Sequence, residues 1–333
     1  MVKGYAALGP GEPLQLIEYD LGPLLSDQVQ IDVSYCGICH SDLSMIDNAW
    51  GMTTYPLVPG HEVAGVVSAI GSDVKHLTVG QRVGLGWHAG YCNQCCLCTS
   101  GDQNLCADAT ATIINHHGGF ANQVRAQANS AIPIPDGLDF KSVGPLFCGG
   151  ITVFNPLVQY DIKPTDHVAI IGIGGLGHMA LEFLNAWGCH VTAFTSTISK
   201  RDELMQMGAK EVIDTNNIQA IESAGGRFDL ILSTVNVKLN WNLYLGTLKP
   251  KGRLHFVGAT LDPLDLNVFQ LIMGQRQVSG SPVGSPRVIE KMLDFAHLHQ
   301  LNPIVEVFEM DQVNQAITRL RSGQAHYRVV LKQ

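Results

Sequence analysis

The hydrophobic rhythm of the chain changes partway along its length. Over the first ~150 residues, short β-branched runs such as Val29 to Val33, Val63 to Ile70 and Arg82 to Leu85 are separated by turn residues such as Gly71-Ser72-Asp73. That texture predicts a compact, mostly antiparallel β domain. From about Thr152, apolar runs alternate with helical segments. The strand candidates are His167 to Ile171, His190 to Phe194, Glu211 to Ile213, Phe228 to Ser233, Arg253 to Val257 and Gln277 to Gly280. Leu176 to Trp187 and Ser199 to Met207 are among the helical segments between them. Six strands with intervening helices predict a doubly wound parallel sheet, an α/β architecture. The last stretch returns to the first texture: a helix around Val288 to His299, another around Gln312 to Ser322, and a closing strand Tyr327 to Lys332. The pattern therefore predicts a β-rich domain from residues 1–151 and 285–333, with a nucleotide-type domain of residues 152–284 inserted in it.

Composition narrows the class. A chain of 333 residues is long enough for two domains. The net charge of −8 and the absence of any basic run argue against a nucleic-acid partner. The longest apolar runs, such as Val168 to Ile173, are far shorter than a membrane span, so no membrane partner is expected. Met1-Val2-Lys3-Gly4-Tyr5 shows no apolar secretory segment, which points to the cytoplasm. In that reducing compartment, nine cysteines favour metal ligation over disulfides.

Two cysteine patterns differ in kind. Cys92, Cys95, Cys98 and Cys106 follow C-x2-C-x2-C-x7-C, a spacing that lets four thiolates close around a structural zinc. Cys39, His61 and Cys148 are scattered over more than a hundred residues. Two cysteines and one histidine leave a fourth zinc position open for water or substrate, the arrangement of a catalytic site. Cys96 reads as a spare thiol, and Cys36 and Cys189 as small buried apolar residues. The expectation is two zinc ions per subunit.

Gly172-Ile173-Gly174-Gly175-Leu176-Gly177 follows an apolar strand and opens a helix, the context of a dinucleotide fingerprint. Gly172 permits the tight turn, Gly174 lets a pyrophosphate approach, and Gly177 allows close helix–strand packing. NAD would need a carboxylate at the end of the second strand. The chain instead reads Phe194-Thr195-Ser196-Thr197, then Ser199-Lys200-Arg201, with no carboxylate before Asp202. The hydroxyls of Ser196 and Thr197 with the cations Lys200 and Arg201 suit a ribose 2′-phosphate, favouring NADP over NAD.

Taken together, these motifs resemble the zinc-dependent medium-chain alcohol dehydrogenases, and within them the cinnamyl-alcohol-dehydrogenase-like branch. The matching stretches are Cys36 to Leu43, Tyr55 to Glu62, the cysteine cluster, Cys148 to Phe154, the glycine motif and Tyr327 to Val330. The resemblance implies a GroES-like catalytic domain split around a Rossmann domain. It implies catalytic zinc on Cys39, His61 and Cys148, with Glu62 behind as an alternate ligand and Asp42 orienting His61. It gives Ser41 the proton-donating role, His40 and Arg328 the cofactor phosphates, Thr152 the nicotinamide, and Trp50 a place on the substrate pocket. A homodimer is its usual assembly. Two departures stand out. Ser44 occupies the position where family members commonly carry a relay histidine, and the loop between Cys106 and Gly118, containing His116 and His117, is shorter than in the plant enzymes.

The function implied is hydride transfer between NADP(H) and primary alcohols or aldehydes. Trp50 and Phe120 lean towards aromatic or medium-chain substrates. A polyol dehydrogenase on the same scaffold is the alternative enzyme reading. A catalytically silent zinc- or nucleotide-binding subunit is the alternative from another class.

Overall fold

The computed structural model describes residues 1–333. The chain forms two compact units, Met1–Ile151 with Val283–Gln333, and Thr152–Pro282.

In the first unit, strand alternation builds the sheet. Along Gln28–Ile38 the side chains of Val29, Ile31 and Val33 are buried, and Gln30 and Asp32 between them are not. That period of two turns one face to the core. Its neighbours are Val63–Ile70 and Arg328–Lys332, both antiparallel to it, and Gln123–Gln127 also pairs with it. Arg82–Leu85 and Ala131–Pro133 extend one side, and Val305–Glu309 the other. Helix Pro286–Leu298 opens on proline and buries Ile289, Met292, Leu293 and Ala296, a stripe at helical spacing. Two registers matter for the site. Val329 pairs with Ile38, and Cys36 pairs with Val63. The ends of three strands therefore meet beside Cys39.

The second unit is a six-stranded sheet in the order Glu211–Asp214, His190–Thr195, His167–Ile171, Phe228–Ser233, Leu248–Phe256, Gln277–Gly280, with every pairing parallel. The central strands are buried on both faces, which is why they read as continuous apolar runs. One strand departs from expectation: Leu248–Phe256 begins five residues before Arg253. The extension carries Pro250, Gly252 and Lys251 at φ +66°, and its pairing shifts register between Phe228 and Leu230. Turn-type residues at an irregularity hide a strand from pattern reading. No helix is long and apolar enough to cross a membrane.

Strand Val305–Glu309, which backs Arg328–Lys332, is tied to helix Val313–Arg321 by a bidentate ion pair. Arg319 Nε and Nη2 lie 2.8 and 2.9 Å from the Glu306 carboxylate, which also accepts the His326 N–H at 2.8 Å. The Arg319 hydrogen bonds hold the Glu306 carboxyl at about 2, down from 4.5. A carboxyl depressed on folding contributes stability that is present above its unfolded value and lost as pH falls towards the folded one. Glu306→Gln should therefore flatten the decline of stability between pH 4.5 and 2. Urea midpoints measured across that window check this, and a decline as steep as the parent's would contradict it.

Candidate active site

Asp42 is the centre of the site. Cys39 ends the run from strand Gln28–Ile38 and caps helix His40–Ile46, which makes Asp42 the third helical residue. Its carboxylate is fully buried and accepts three hydrogen bonds. Oδ2 takes the Cys39 N–H at 2.8 Å, and Oδ1 takes the Gly60 N–H at 2.8 Å and His61 Nδ1 at 3.0 Å. With Nδ1 engaged, Nε2 of His61 faces Cys148 Sγ at 3.2 Å. Cys148 arrives from the 3-10 turn Gly144–Phe147, and its Sγ is 3.8 Å from that of Cys39. Ser41 Oγ is 3.7 Å from Cys39 Sγ.

The ligand atoms of Cys39, His61, Glu62 and Cys148 all lie within 4.8 Å of one another, and all four residues are buried. Two thiolates each ~2.3 Å from a tetrahedral zinc stand roughly 3.8 Å apart, so the sulfur separation fits that ion. The donor set, two sulfurs and one imidazole nitrogen with a carboxylate behind, is zinc chemistry. The Cys148 thiol donates to Cys39 and holds Cys39 well below the ordinary thiol range, against burial and with help from His61 and Arg328. Burial alone would push His61 towards its neutral form, but Asp42 more than offsets this and raises it.

Arg328 reaches the site from the start of strand Arg328–Lys332. It is 4% exposed, and its guanidinium pairs with Glu62 and donates to the Ile38 carbonyl at 3.3 Å. Its charge is directed at a buried carboxylate. The other Glu62 oxygen, Oε2, is buried without a hydrogen-bond partner. Phe120 is a core residue. It is fully buried in the core of the first unit, packed under Gly60.

Trp87 was not picked out in the sequence, yet its ring stands edge-on to His61 with centroids 5.1 Å apart, and Trp50 stands edge-on to Trp87 at 6.2 Å. Register explains it: Leu85 pairs with Val63, so two residues further on Trp87 comes opposite His61. His116 bonds the Thr112 carbonyl at 3.2 Å and His117 packs on Tyr19, so both serve the loop. His40 is exposed at the start of its helix.

The second cluster is as tight. The sulfurs of Cys92, Cys95, Cys98 and Cys106 lie within 4.8 Å of one another. Cys92 is 3.5 Å from Cys106 and 3.9 Å from Cys98, again near the tetrahedral spacing. Backbone N–H groups of Gln94 and Cys95 bring the Cys92 thiol down to about 6. Cys96 is exposed and outside the cluster.

In the second unit, Gly172 takes φ +86° and helix Gly177–Trp187 follows. A side chain at Gly174 would meet nothing within 4 Å, so the loop is open where a pyrophosphate would lie. A side chain at Gly177 would collide with the Gly172 carbonyl. Gly175 and Leu176 complete the turn. Thr195 ends the second strand, and Ser196, Thr197 and Arg201 are exposed just beyond it, with Lys200 half-buried. Thr152 is buried on helix Gly149–Gln159.

Residues 26–136 match the alcohol dehydrogenase GroES-like domain and residues 175–297 the zinc-binding dehydrogenase family. An aldehyde reductase of Synechocystis sp. is 59% identical over 331 residues, which cover 99% of this chain and 98% of that protein. A cinnamyl alcohol dehydrogenase of Sorghum bicolor superposes with a TM-score of 0.96 at 36% identity, covering 99% and 97% of the two chains. A cinnamyl alcohol dehydrogenase of Helicobacter pylori, solved with NADP(H), gives 0.91 at 28% identity, covering 99% and 97%. The chain belongs to the zinc-dependent alcohol dehydrogenase and aldehyde reductase family, in its cinnamyl-alcohol-dehydrogenase-like branch. It is an enzyme of that class, with a GroES-like domain and a Rossmann-type parallel sheet.

Gly60 sets the loop that carries His61. It takes φ +101°, and a Cβ there would lie 2.7 Å from the Phe120 backbone nitrogen and 2.9 Å from Cys36 Sγ. Gly60→Ala should cost more than about 2 kcal/mol, since strain and overlap act together. Chemical denaturation reads this directly, and parental stability would contradict the role given to the loop.

Proposed function

We propose that this chain reduces aromatic and medium-chain aliphatic aldehydes to primary alcohols, and runs the reverse oxidation, with NADPH preferred over NADH and zinc in both thiol sites. The observation that carries the reading is the buried set Cys39, His61 and Cys148, oriented by Asp42 and flanked by the Ser41 hydroxyl. Zinc held by Cys39, His61 and Cys148 supplies a Lewis acid for the substrate oxygen, and the nicotinamide cofactor supplies the hydride.

The chain's own residues do the rest. Asp42 fixes the tautomer and aim of His61. Arg328 holds Glu62 in place and opposes the rise that burial imposes on its pKa, with Oε2 unpartnered as an alternate ligand. Ser41 holds the proton that passes to or from the substrate oxygen. Ser44 lacks the near-neutral titration of the histidine that commonly stands there, so the proton continues to solvent without it. Trp87 and Trp50 give the wall beside His61 an apolar, aromatic character, which supports aldehydes over polyols. Gly172, Gly174, Gly175, Leu176 and Gly177 receive the pyrophosphate. Ser196, Thr197, Lys200 and Arg201 receive the 2′-phosphate. His40 and Thr152 complete the cofactor set. Cys92, Cys95, Cys98 and Cys106 hold a structural zinc. Thiol ligands in both sites need a reducing compartment, so the enzyme is placed in the cytoplasm.

The working form is a homodimer. Val268, Phe269, Ile272 and Met273 form one stripe on helix Val268–Gly274, each between 62% and 69% exposed. The stripe precedes Gln277–Gly280, the open edge strand of the parallel sheet. An apolar stripe beside an unpaired edge is a liability that a second copy removes by two-fold pairing.

Three outcomes test the reading. Elemental analysis should give two zinc ions per subunit. Cys148→Ser should lose turnover while remaining folded and able to bind NADPH, and Cys98→Ser should chiefly unfold or aggregate; fewer than two metals in fully active enzyme would overturn this. Ser41→Ala should lower kcat on the order of 10²–10⁴-fold, and Ser44→Ala only slightly. Equal losses would contradict the proton path. Light scattering should show a dimer for the parent and a monomer for Ile272→Arg; a monomeric parent would remove the proposed interface.

A further inference from the structure

The turn that carries Ser196 and Thr197 is anchored from the neighbouring strand. Thr197 N–H donates to Thr195 Oγ1 at 3.1 Å, and Thr215 N–H donates to the Thr195 carbonyl at 2.9 Å. The next residue does more. Asn216 Nδ2 donates to the Ser196 carbonyl at 2.9 Å across the gap between strands His190–Thr195 and Glu211–Asp214. The same Nδ2 and the Asn216 backbone N–H both reach Asp214 Oδ1, each at 2.9 Å. Register pairs Asp214 with Thr195, so this carboxylate stands one strand spacing, ~4.8 Å, from the strand end that leads into the turn. Left unengaged, it would present a negative charge beside any phosphate held by Ser196, Thr197, Lys200 and Arg201.

Resting on the NADP reading above, we infer that Asn216 is a positioning residue for recognition of the adenosine 2′-phosphate. One amide group performs two tasks. It fixes the Ser196 carbonyl, and with it the orientation of the turn whose hydroxyls and cations receive the phosphate. It also adds a side-chain N–H to the backbone N–H already on Asp214 Oδ1, which offsets the negative charge that carboxylate presents to the phosphate. Asn216 is exposed and outside the core.

The test measures binding without turnover. Adenosine 2′,5′-bisphosphate and AMP are titrated calorimetrically into the zinc-loaded parent, Asn216→Ala and Asn216→Asp, with Tm measured for each. The parent should bind the bisphosphate more tightly than AMP. Asn216→Ala should weaken the bisphosphate by roughly 5- to 10-fold, the size of one lost hydrogen bond, with AMP affinity and Tm at parental values. Asn216→Asp keeps the shape, loses the amide donor and adds a charge, so it should weaken the bisphosphate further. An unchanged ratio of the two affinities in Asn216→Ala overturns the role of Asn216, and so does an equal loss of both nucleotides, which marks a merely structural part. A parent that does not distinguish the two nucleotides refutes the NADP reading itself, and the inference falls with it.

Discussion

A single buried carboxylate organises the reactive end of the first unit. Asp42 has no exposure to solvent, and its two oxygens accept from Cys39, Gly60 and His61. An isolated carboxylate taken out of water is costly, and this one is tolerated because every nearby donor converges on it. The same three bonds fix the start of the helix carrying Ser41, the loop carrying His61, and the ring nitrogen that His61 turns towards Cys148. Stability and chemistry thus depend on one group. Gly60 donates to it from φ +101°, where a Cβ would overlap Phe120.

The carboxylate behind the site is managed in the same way. Glu62 is fully buried, and burial raises its pKa while the Arg328 charge opposes this. The guanidinium satisfies one oxygen and leaves the other buried without a hydrogen-bond partner. Removing one partner of a buried pair leaves an uncompensated charge, so the two residues act as a unit. In the second unit the logic is milder. There, hydrogen bonds from Asn216 tie the Ser196 carbonyl to Asp214 at a surface turn.

Much of this was legible in the sequence, for identifiable physical reasons. Central parallel strands buried on both faces, such as His167–Ile171 and Phe228–Ser233, leave unbroken apolar runs, and five of the six strands began where the pattern put them. Leu248–Phe256 did not, because Pro250 and Gly252 imitate a turn. Clustered cysteines announce themselves by spacing, and the family resemblance supplied the scattered ligands. What stayed hidden was what register decides. Trp87 comes opposite His61 only because Leu85 pairs with Val63, and Arg328 comes beside Cys39 only because Val329 pairs with Ile38. Phe120 looked like a pocket aromatic, yet it packs under Gly60. Spacing along a chain does not say which strand edge a side chain will face.

The dependence on Asp42 is tested most directly by the metal affinity of Asp42→Asn. The substitution keeps the shape but sets an amide N–H against one of the three donors. Competition with a chromophoric chelator, following the two zinc ions separately, should show the Cys39–His61–Cys148 site weakened by roughly 10- to 100-fold, as for other groups that orient a ligand histidine. The four-cysteine site should hold its zinc at parental affinity. Parental affinity at both sites would contradict the account, because His61 and Cys39 would then be held without the carboxylate.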